Sequence, residues 1–305
     1  MKSEYTILLY YKYTPVENPE HLAMWHRGIC NALGFKGRIL IAKEGINGTL
    51  EGKTADTEKY MEALRRLSLS RDTRGMGNFR DIKFKTSVGT GNAFPKMKIK
   101  VRDEIVSVKL DEDVNPNVVT GKHLPPHELK KWYEKGEDFV VVDMRNDYEF
   151  KVGHFKDSIN PNLENSRDLP KAIQKLEHLK DKKVLTVCTG GIRCEKMSGY
   201  LVKKGFKDVY QLDGGMHSYM EKYPGEDFKG TLYTFDNRIV MDFGGDREII
   251  GKCEKCGEKS ERYSNCADPI CHKHIICCEK CSEENGEVFC SEACKVKMLN
   301  SKVQA

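Results

Sequence analysis

The sequence predicts three folded parts: an α+β domain built as β-α-β-β-α-β, a central α/β domain on a parallel sheet, and a Cys-rich module of metal-binding type. Three observations predict it. Strand-like and helix-like segments alternate through residues 1–110. β-Branched runs at 139–145 and 184–187 have the composition of buried parallel strands. Nine of the twelve cysteines fall between 253 and 294. The expected boundaries are 1–110 for the first domain, 111–122 for a linker, 123–224 for the central domain, 225–251 for a linker or extension, and 252–305 for the Cys-rich module.

Residues 5–13 have the aromatic and aliphatic content of a strand. Asn18-Pro19-Glu20 starts a helix, with Pro at the first helical position and acid in the first turn, running to Leu33 before Gly34. Residues 37–42 read as a second strand, 44–48 as a turn and 49–52 as the start of a third strand. Residues 54–67 are amphipathic and helical, and 81–85 and 96–101 supply later strands. This order is the ferredoxin-like, or acylphosphatase-like, arrangement, which hosts many functions and by itself assigns none. In the central domain, 184–187 and 209–212 are strands, with a helix over 195–204 closed by Gly205.

Cys188 is the candidate catalytic residue. It ends the run Val184-Leu185-Thr186-Val187 and opens the loop Cys188-Thr189-Gly190-Gly191-Ile192-Arg193. A strand delivering cysteine into a glycine-containing turn ahead of a helix places sulfur where backbone N–H groups converge. The helix N-terminus and Arg193 add positive charge, and all of these favour the nucleophilic thiolate. Loop formers follow Cys188, which argues against an ordinary core cysteine.

Asp143-Met144-Arg145, Glu149, Gly153-His154, the 188–193 loop and Leu212-Asp213-Gly214-Gly215 occur in that order. Together they resemble a rhodanese domain. Four residues separate Cys188 from Arg193, one fewer than in cysteine phosphatases, whose loop encircles a phosphate. A tighter loop suits a sulfur atom, so the chemistry implied is a persulfide on Cys188. Asp143 and Arg145 are expected to orient the loop, and His154 to be a structural hydrogen-bonding residue.

No stretch is long enough to span a bilayer, and the first residues lack a signal-peptide pattern. Twelve cysteines in such a chain point to metal or catalysis rather than disulfides, and to a cytoplasmic location. The net charge is +5, but residues 1–110 hold 20 Lys/Arg against 12 Asp/Glu, whereas 111–251 hold 22 against 25. A solvated basic surface is one reading. A basic module beside a cysteine domain also invites a polyanion such as RNA.

The C-terminal cysteines form four close pairs: Cys253/Cys256, Cys266/Cys271, Cys278/Cys281 and Cys290/Cys294. Eight thiolates suffice for two closed tetrahedral zinc sites. Cys277 is left over, and His272 and His274 are alternative ligands. The module has few large apolar residues and is expected to need metal to fold. Which pairs share an ion stays open.

Two further segments, Lys43-Glu44-Gly45-Ile46-Asn47-Gly48-Thr49 and Asn92-Ala93-Phe94-Pro95-Lys96-Met97-Lys98, the latter followed by Glu104-Ile105-Val106, accompany the Cys188 loop. In this company the chain resembles the oxygen-dependent tRNA uridine hydroxylases, which place 5-hydroxyuridine at the wobble position. The resemblance implies a tRNA anticodon loop as partner, molecular oxygen as co-substrate and an electron donor it does not name. It makes Cys188 the essential cysteine, with Arg193 stabilising its anion. Cys194 matches a second family cysteine and reads equally as a resolving thiol or a buried helix residue. Lys43, Lys96 and Lys98 are the candidate RNA contacts. No flavin, haem or nicotinamide motif is found, nor an iron triad; His21 and His26 read as surface or packing residues. A simple sulfurtransferase is the competing reading, and would leave the basic first domain unexplained. A zinc-dependent adaptor with an inactive central domain is disfavoured by the intact Cys188. The oligomeric state stays open.

Overall fold

A computed structural model of the chain describes residues 3–67, 75–244, 248–271 and 273–303. The first domain contains β1 (Tyr5–Tyr13), α1 (Pro19–Ala32), β2 (Lys36–Ala42), β3 (Gly45–Lys53), α2 (Thr54–Arg66), β4 (Phe84–Gly89) and β5 (Met97–Val101). Its sheet has the order β4-β1-β3-β2-β5, with β5 parallel to β2 and the other pairs antiparallel. This is the expected ferredoxin-like arrangement with a fifth strand added.

Two elements differ from expectation. The segment read as a turn at 44–48 is mostly strand, because Gly45 makes the reversal tight. Its φ is 147°, and a Cβ there would lie 2.0 Å from the Lys12 carbonyl oxygen. The strand expected over 81–85 runs from Phe84 to Gly89, in the register that sets Phe84 opposite Tyr10 with ring centroids 5.0 Å apart.

Alternation along the strands gives the sheet two faces. Leu8, Tyr10, Ile39, Ile41, Ile46 and Leu50 are buried in the core beneath α1 and α2. His26 belongs to this core: its Nδ1 lies 3.2 Å from the Tyr60 hydroxyl, and burial pulls its pKa down to about 3. It is a packing residue, and His21 is exposed. Leu9, Tyr11, Arg38, Thr49, Lys85 and Ser87 lie on the opposite face, toward the central domain.

The central domain comprises β6 (Lys122–Leu124), α3 (Pro126–Lys135), β7 (Val140–Asp143), α4 (Asp147–Phe150), β8 (Gly153–Phe155), α5 (Leu169–Ala172), β9 (Lys183–Val187), α6 (Ile192–Lys203), β10 (Asp208–Leu212) and α7 (Gly215–Lys222). Four parallel strands are ordered β6-β10-β9-β7. Both faces are covered, as such sheets require. Val142, Val184 and Met197 share one core, and Val141, Leu185 and Val187 the other. The stretch expected as a linker is packed chain, since Val114, like Val108 just before it, is buried in the first of these cores.

Beyond α7, β11 (Phe228–Gly230) pairs with β8, and β12 (Leu232–Tyr233) with β13 (Val240–Met241). The last part holds β14 (Tyr263–Asn265), β15 (His274–Ile276), α8 (Glu279–Asn285) and α9 (Glu292–Val303). Among the described residues, no helix is long and apolar enough to cross a membrane.

Candidate active site

β9 ends at Val187, so Cys188 is the first residue of the loop and α6 begins four residues later at Ile192. Gly191 takes φ 101° and donates its N–H to the Cys188 sulfur at 3.2 Å. The N-terminus of α7 closes the loop from below: the N–H of Met216 donates to the Cys188 carbonyl at 2.9 Å and that of His217 to the Thr189 carbonyl at 3.0 Å. Gly215 is required there, because a Cβ would stand 2.6 Å from the Cys188 carbonyl oxygen.

Burial alone would push the Cys188 thiol up. A hydrogen bond from the Cys194 thiol, the Arg193 charge and the N–H groups of Cys194 and Gly191 outweigh it and hold the thiol down at about 6. Burial and the Cys188 sulfur in turn push Cys194 well above its ordinary value. The two thiols therefore divide into a thiolate and its donor.

Arg193 is fixed by the buried Glu149, with Nη1–Oε2 at 2.6 Å and Nη2–Oε1 at 2.8 Å, and it also donates to the Thr189 hydroxyl at 3.2 Å. Glu149 also accepts from the Asn146 N–H at 3.1 Å, capping α4, so that its pair with Arg193 ties α4 to the loop. Asp143 and Arg145 form a fully buried pair, Nη2–Oδ2 2.7 Å, and Arg145 also donates to the Gly153 carbonyl. His154 bonds the Phe150 carbonyl through Nδ1 at 2.9 Å. None of these three residues lines the cleft.

The loop does not face open solvent. Cys188 is fully buried, and Thr189, Gly190, Ile192 and Arg193 form one wall of a cavity of about 280 Å³. The opposite wall is the second face of the first domain's sheet. Lys85 Nζ donates to the Gly190 carbonyl at 2.9 Å, and a Cβ on Gly191 would lie 2.7 Å from the Tyr11 hydroxyl. Burial pulls the Lys85 ammonium down to about 8, although the Cys188 and Asp213 charges oppose that fall. His217, pulled down to about 4 by burial and then by Lys85 and Arg238, is neutral near pH 7 and also lines the cavity. Phe235, Asp236 and Arg238 of the β12–β13 turn complete it.

Two joints hold the domains in this relation. Lys196 lies between Glu44 at 2.7 Å and Glu104 at 2.8 Å, while Glu44 accepts the Ile105 N–H and Asn47 donates to the Ile105 carbonyl. The two segments singled out in the first domain thus meet on α6. Glu195 accepts from Tyr11 at 3.1 Å and from Gln211 at 3.0 Å, and lies 3.1 Å from His123 Nε2. Lys96 and Lys98 are exposed and line an adjoining cavity; the exposed Lys43 lines neither. Lys85, Tyr11, His217 and Phe235 were not singled out in the sequence. Only the alternation in 84–89 signalled that Lys85 and Ser87 share a face.

The eight paired cysteines form two clusters, Cys253/Cys256/Cys278/Cys281 and Cys266/Cys271/Cys290/Cys294, with ligand atoms all within 4.8 Å of one another. The pairs interleave, first with third and second with fourth. Sulfurs 3.6 Å apart, as in Cys256–Cys278, Cys271–Cys290 and Cys290–Cys294, are close to the roughly 3.8 Å edge of a tetrahedron of Zn–S bonds. Cys277 is outside both clusters. His274 is engaged elsewhere, 2.8 Å from Asn265 Oδ1 and 3.3 Å from the Tyr233 hydroxyl, and His272 lies outside the described residues.

Comparison with known proteins matches every part of this arrangement. Residues 5–105 match the UPF0176 acylphosphatase like domain, 125–222 the rhodanese-like domain and 229–295 the rhodanase C-terminal domain. A rhodanese-like domain protein from Staphylococcus aureus is 26% identical, covering 32% of this chain and 90% of its own, with a TM-score of 0.28. The tRNA uridine(34) hydroxylases of Bacillus thuringiensis (strain Al Hakam) and Bacillus anthracis (strain A0248) are each 47% identical, over 98% of this chain and 92% of theirs. At that identity over nearly the full length of both partners, the chain belongs to the tRNA uridine(34) hydroxylase family.

Proposed function

We propose that this protein hydroxylates the wobble uridine of tRNA to 5-hydroxyuridine, with Cys188 as its reactive thiolate, in the cytoplasm where tRNA is used. The observation that carries the reading is the cavity itself. The Cys188 loop is roofed by the sheet of the basic first domain, so the site is built from both domains. A simple sulfurtransferase would need the loop alone. An anticodon loop presents unpaired bases, so moving one into a cavity of about 280 Å³ costs little compared with opening a duplex. Lys96 and Lys98 line the adjoining cavity and suit phosphate, whereas Lys43 lines neither cavity.

Placing one oxygen atom of O2 at C5 and releasing the other as water consumes two electrons, so an electron donor is required. The Gly191 N–H would hold negative charge on the sulfur, and Arg193 and Lys85, which line the cavity, would hold it on the base. The interleaved thiolate clusters fit zinc, with the ligand set of closed structural sites. Zinc there would tie the last segments together and take no part in the reaction.

Nucleoside mass spectrometry of tRNA from a deletion strain tests the function. Complementation with the wild-type chain should restore 5-hydroxyuridine, and Cys188→Ser should not, since a hydroxyl is a far weaker nucleophile at neutral pH. Full restoration by the serine variant would refute the role of Cys188. Normal 5-hydroxyuridine in the deletion strain, with loss of thiolated products, would favour sulfur transfer.

A further inference from the structure

Next to the cavity over the Cys188 loop lies a second, of about 510 Å³. The two share Arg38, Thr49, Phe235 and Asp236 as a common wall. Three independent features of this wall point to a ligand.

The first is charge. In the parallel pairing of β2 with β5, Arg38 stands opposite Lys98 and Leu40 opposite Lys100. Like charges directly opposite one another destabilise a sheet. Arg38, Lys96, Lys98 and Lys100 nonetheless have no carboxylate partner among the described residues, whereas Lys59, Lys83, Lys122 and Lys130 each have one. An unrelieved cationic strip of this kind is suited to an anionic backbone.

The second is an aromatic ring. Phe235 is 50% exposed, although it sits at the junction of the two cavities. One side is taken by the Arg193 guanidinium carbon, 5.6 Å from the ring centroid, and the Tyr233 ring meets it edge-on at 5.2 Å.

The third is the turn that presents it. Ile239 holds φ 65°, a strained conformation for a β-branched residue. The turn is pinned at several points: Asp236 binds Arg238 at 2.8 and 2.6 Å, Arg238 donates to Ser87 at 2.9 Å, and Asn237 donates to the Ala93 and Asn92 carbonyls at 3.0 and 2.8 Å. The loop that receives it is shaped by the buried Glu51, which accepts the N–H groups of Thr90, Gly91 and Ala93. An exposed apolar ring is thus held rigidly at the edge of the first domain.

We propose that this second cavity is a subsite for the nucleotide next to the reacting uridine: its base stacks on Phe235 and its phosphate lies on Arg38, Lys96 and Lys98. The subsite rests on the reading of the protein as a tRNA uridine hydroxylase and adds to it a requirement for an unpaired neighbour. With that base in the second cavity and the reacting uridine in the first, Phe235 stands in the wall between them and keeps the two from restacking.

The test is a double-mutant cycle with the full, metal-loaded chain and a synthetic anticodon stem-loop carrying uridine at the wobble position. Partner RNAs carry an abasic ribose immediately 5′ or immediately 3′ to that uridine. Stacking on an aromatic residue is worth about 1–3 kcal/mol per base, so Phe235→Ala should weaken binding roughly 5- to 150-fold. One of the abasic RNAs should bind wild-type protein correspondingly weakly, and Phe235→Ala should cost that RNA nothing further. Phe235→Trp should retain affinity. Lys96→Gln and Lys98→Gln should each lower the slope of log affinity against log salt by about 0.7. Unchanged binding by Phe235→Ala, or additive losses with both abasic RNAs, would overturn the subsite while wild-type binding and hydroxylation left the function standing. A wild-type protein that binds no anticodon stem-loop would overturn both.

Discussion

Removing the Cys194 sulfur should raise the pKa of Cys188 without touching the nucleophile. Cys194 is 1% exposed, and its thiol hydrogen bond leads the influences that counter burial at Cys188. A hydrogen bond to a charged group contributes about 1.5–3 kcal/mol, and one pKa unit corresponds to about 1.4 kcal/mol, so Cys194→Ala should lift Cys188 by about one to two units. A thiol held at about 6 is roughly nine-tenths thiolate at pH 7; lifted to about 7–8 it would be half thiolate or less. The sign is fixed: wild-type thiolate persists above pH 6 and is lost as pH falls through it, and the variant loses it at higher pH. The assay is the rate of iodoacetamide alkylation at Cys188 against pH, read by peptide mass spectrometry and scaled to each variant's alkaline plateau, which removes differences in access to the buried sulfur. Cys194→Ser keeps a donor and should leave the midpoint near that of wild type. Coincident midpoints for wild type and Cys194→Ala would refute the division of the pair into thiolate and donor.

Three other outcomes are expected. Glu149→Gln leaves Arg193 buried without its counter-charge, which should cost about 3–5 kcal/mol in the central domain, measured by denaturant unfolding; a loss below about 1 kcal/mol would show the pair to be dispensable. Plasma emission analysis after reducing, chelator-free purification should find two zinc ions per chain, and Cys278→Ala should release one and keep the other, because the clusters share no ligand. Arg38→Glu should stabilise the first domain by about 0.2–1 kcal/mol through a new pair with Lys98 while weakening RNA binding; a loss of thermal stability would argue against repulsion across that pairing.

The sequence by itself determined the architecture of three parts, the cysteine loop and the thiolate pairs, because each is written in local signals. Strand and helix periods, a cysteine entering glycines ahead of a helix, and Cys spacing all act within a few residues. The tertiary structure alone decided what faces Cys188. Lys85, Tyr11 and Phe235 reach the loop from over a hundred positions upstream or from a turn some forty residues downstream, and their own neighbours in the chain carry no sign of it. The same holds for the metal clusters: spacing identified the pairs, but which pairs share an ion depends on how β14, β15, α8 and α9 pack. Charge was legible only as a total. The excess of 20 basic over 12 acidic residues in the first domain marked it as basic, but sheet register put Arg38 beside Lys98 and left Lys43 away from the cavity. Cys188 shows the same limit: its loop predicted an activated thiolate, and only tertiary packing buried that residue in the central domain's core. Local sequence sets what each segment can be, and long-range packing sets what it meets.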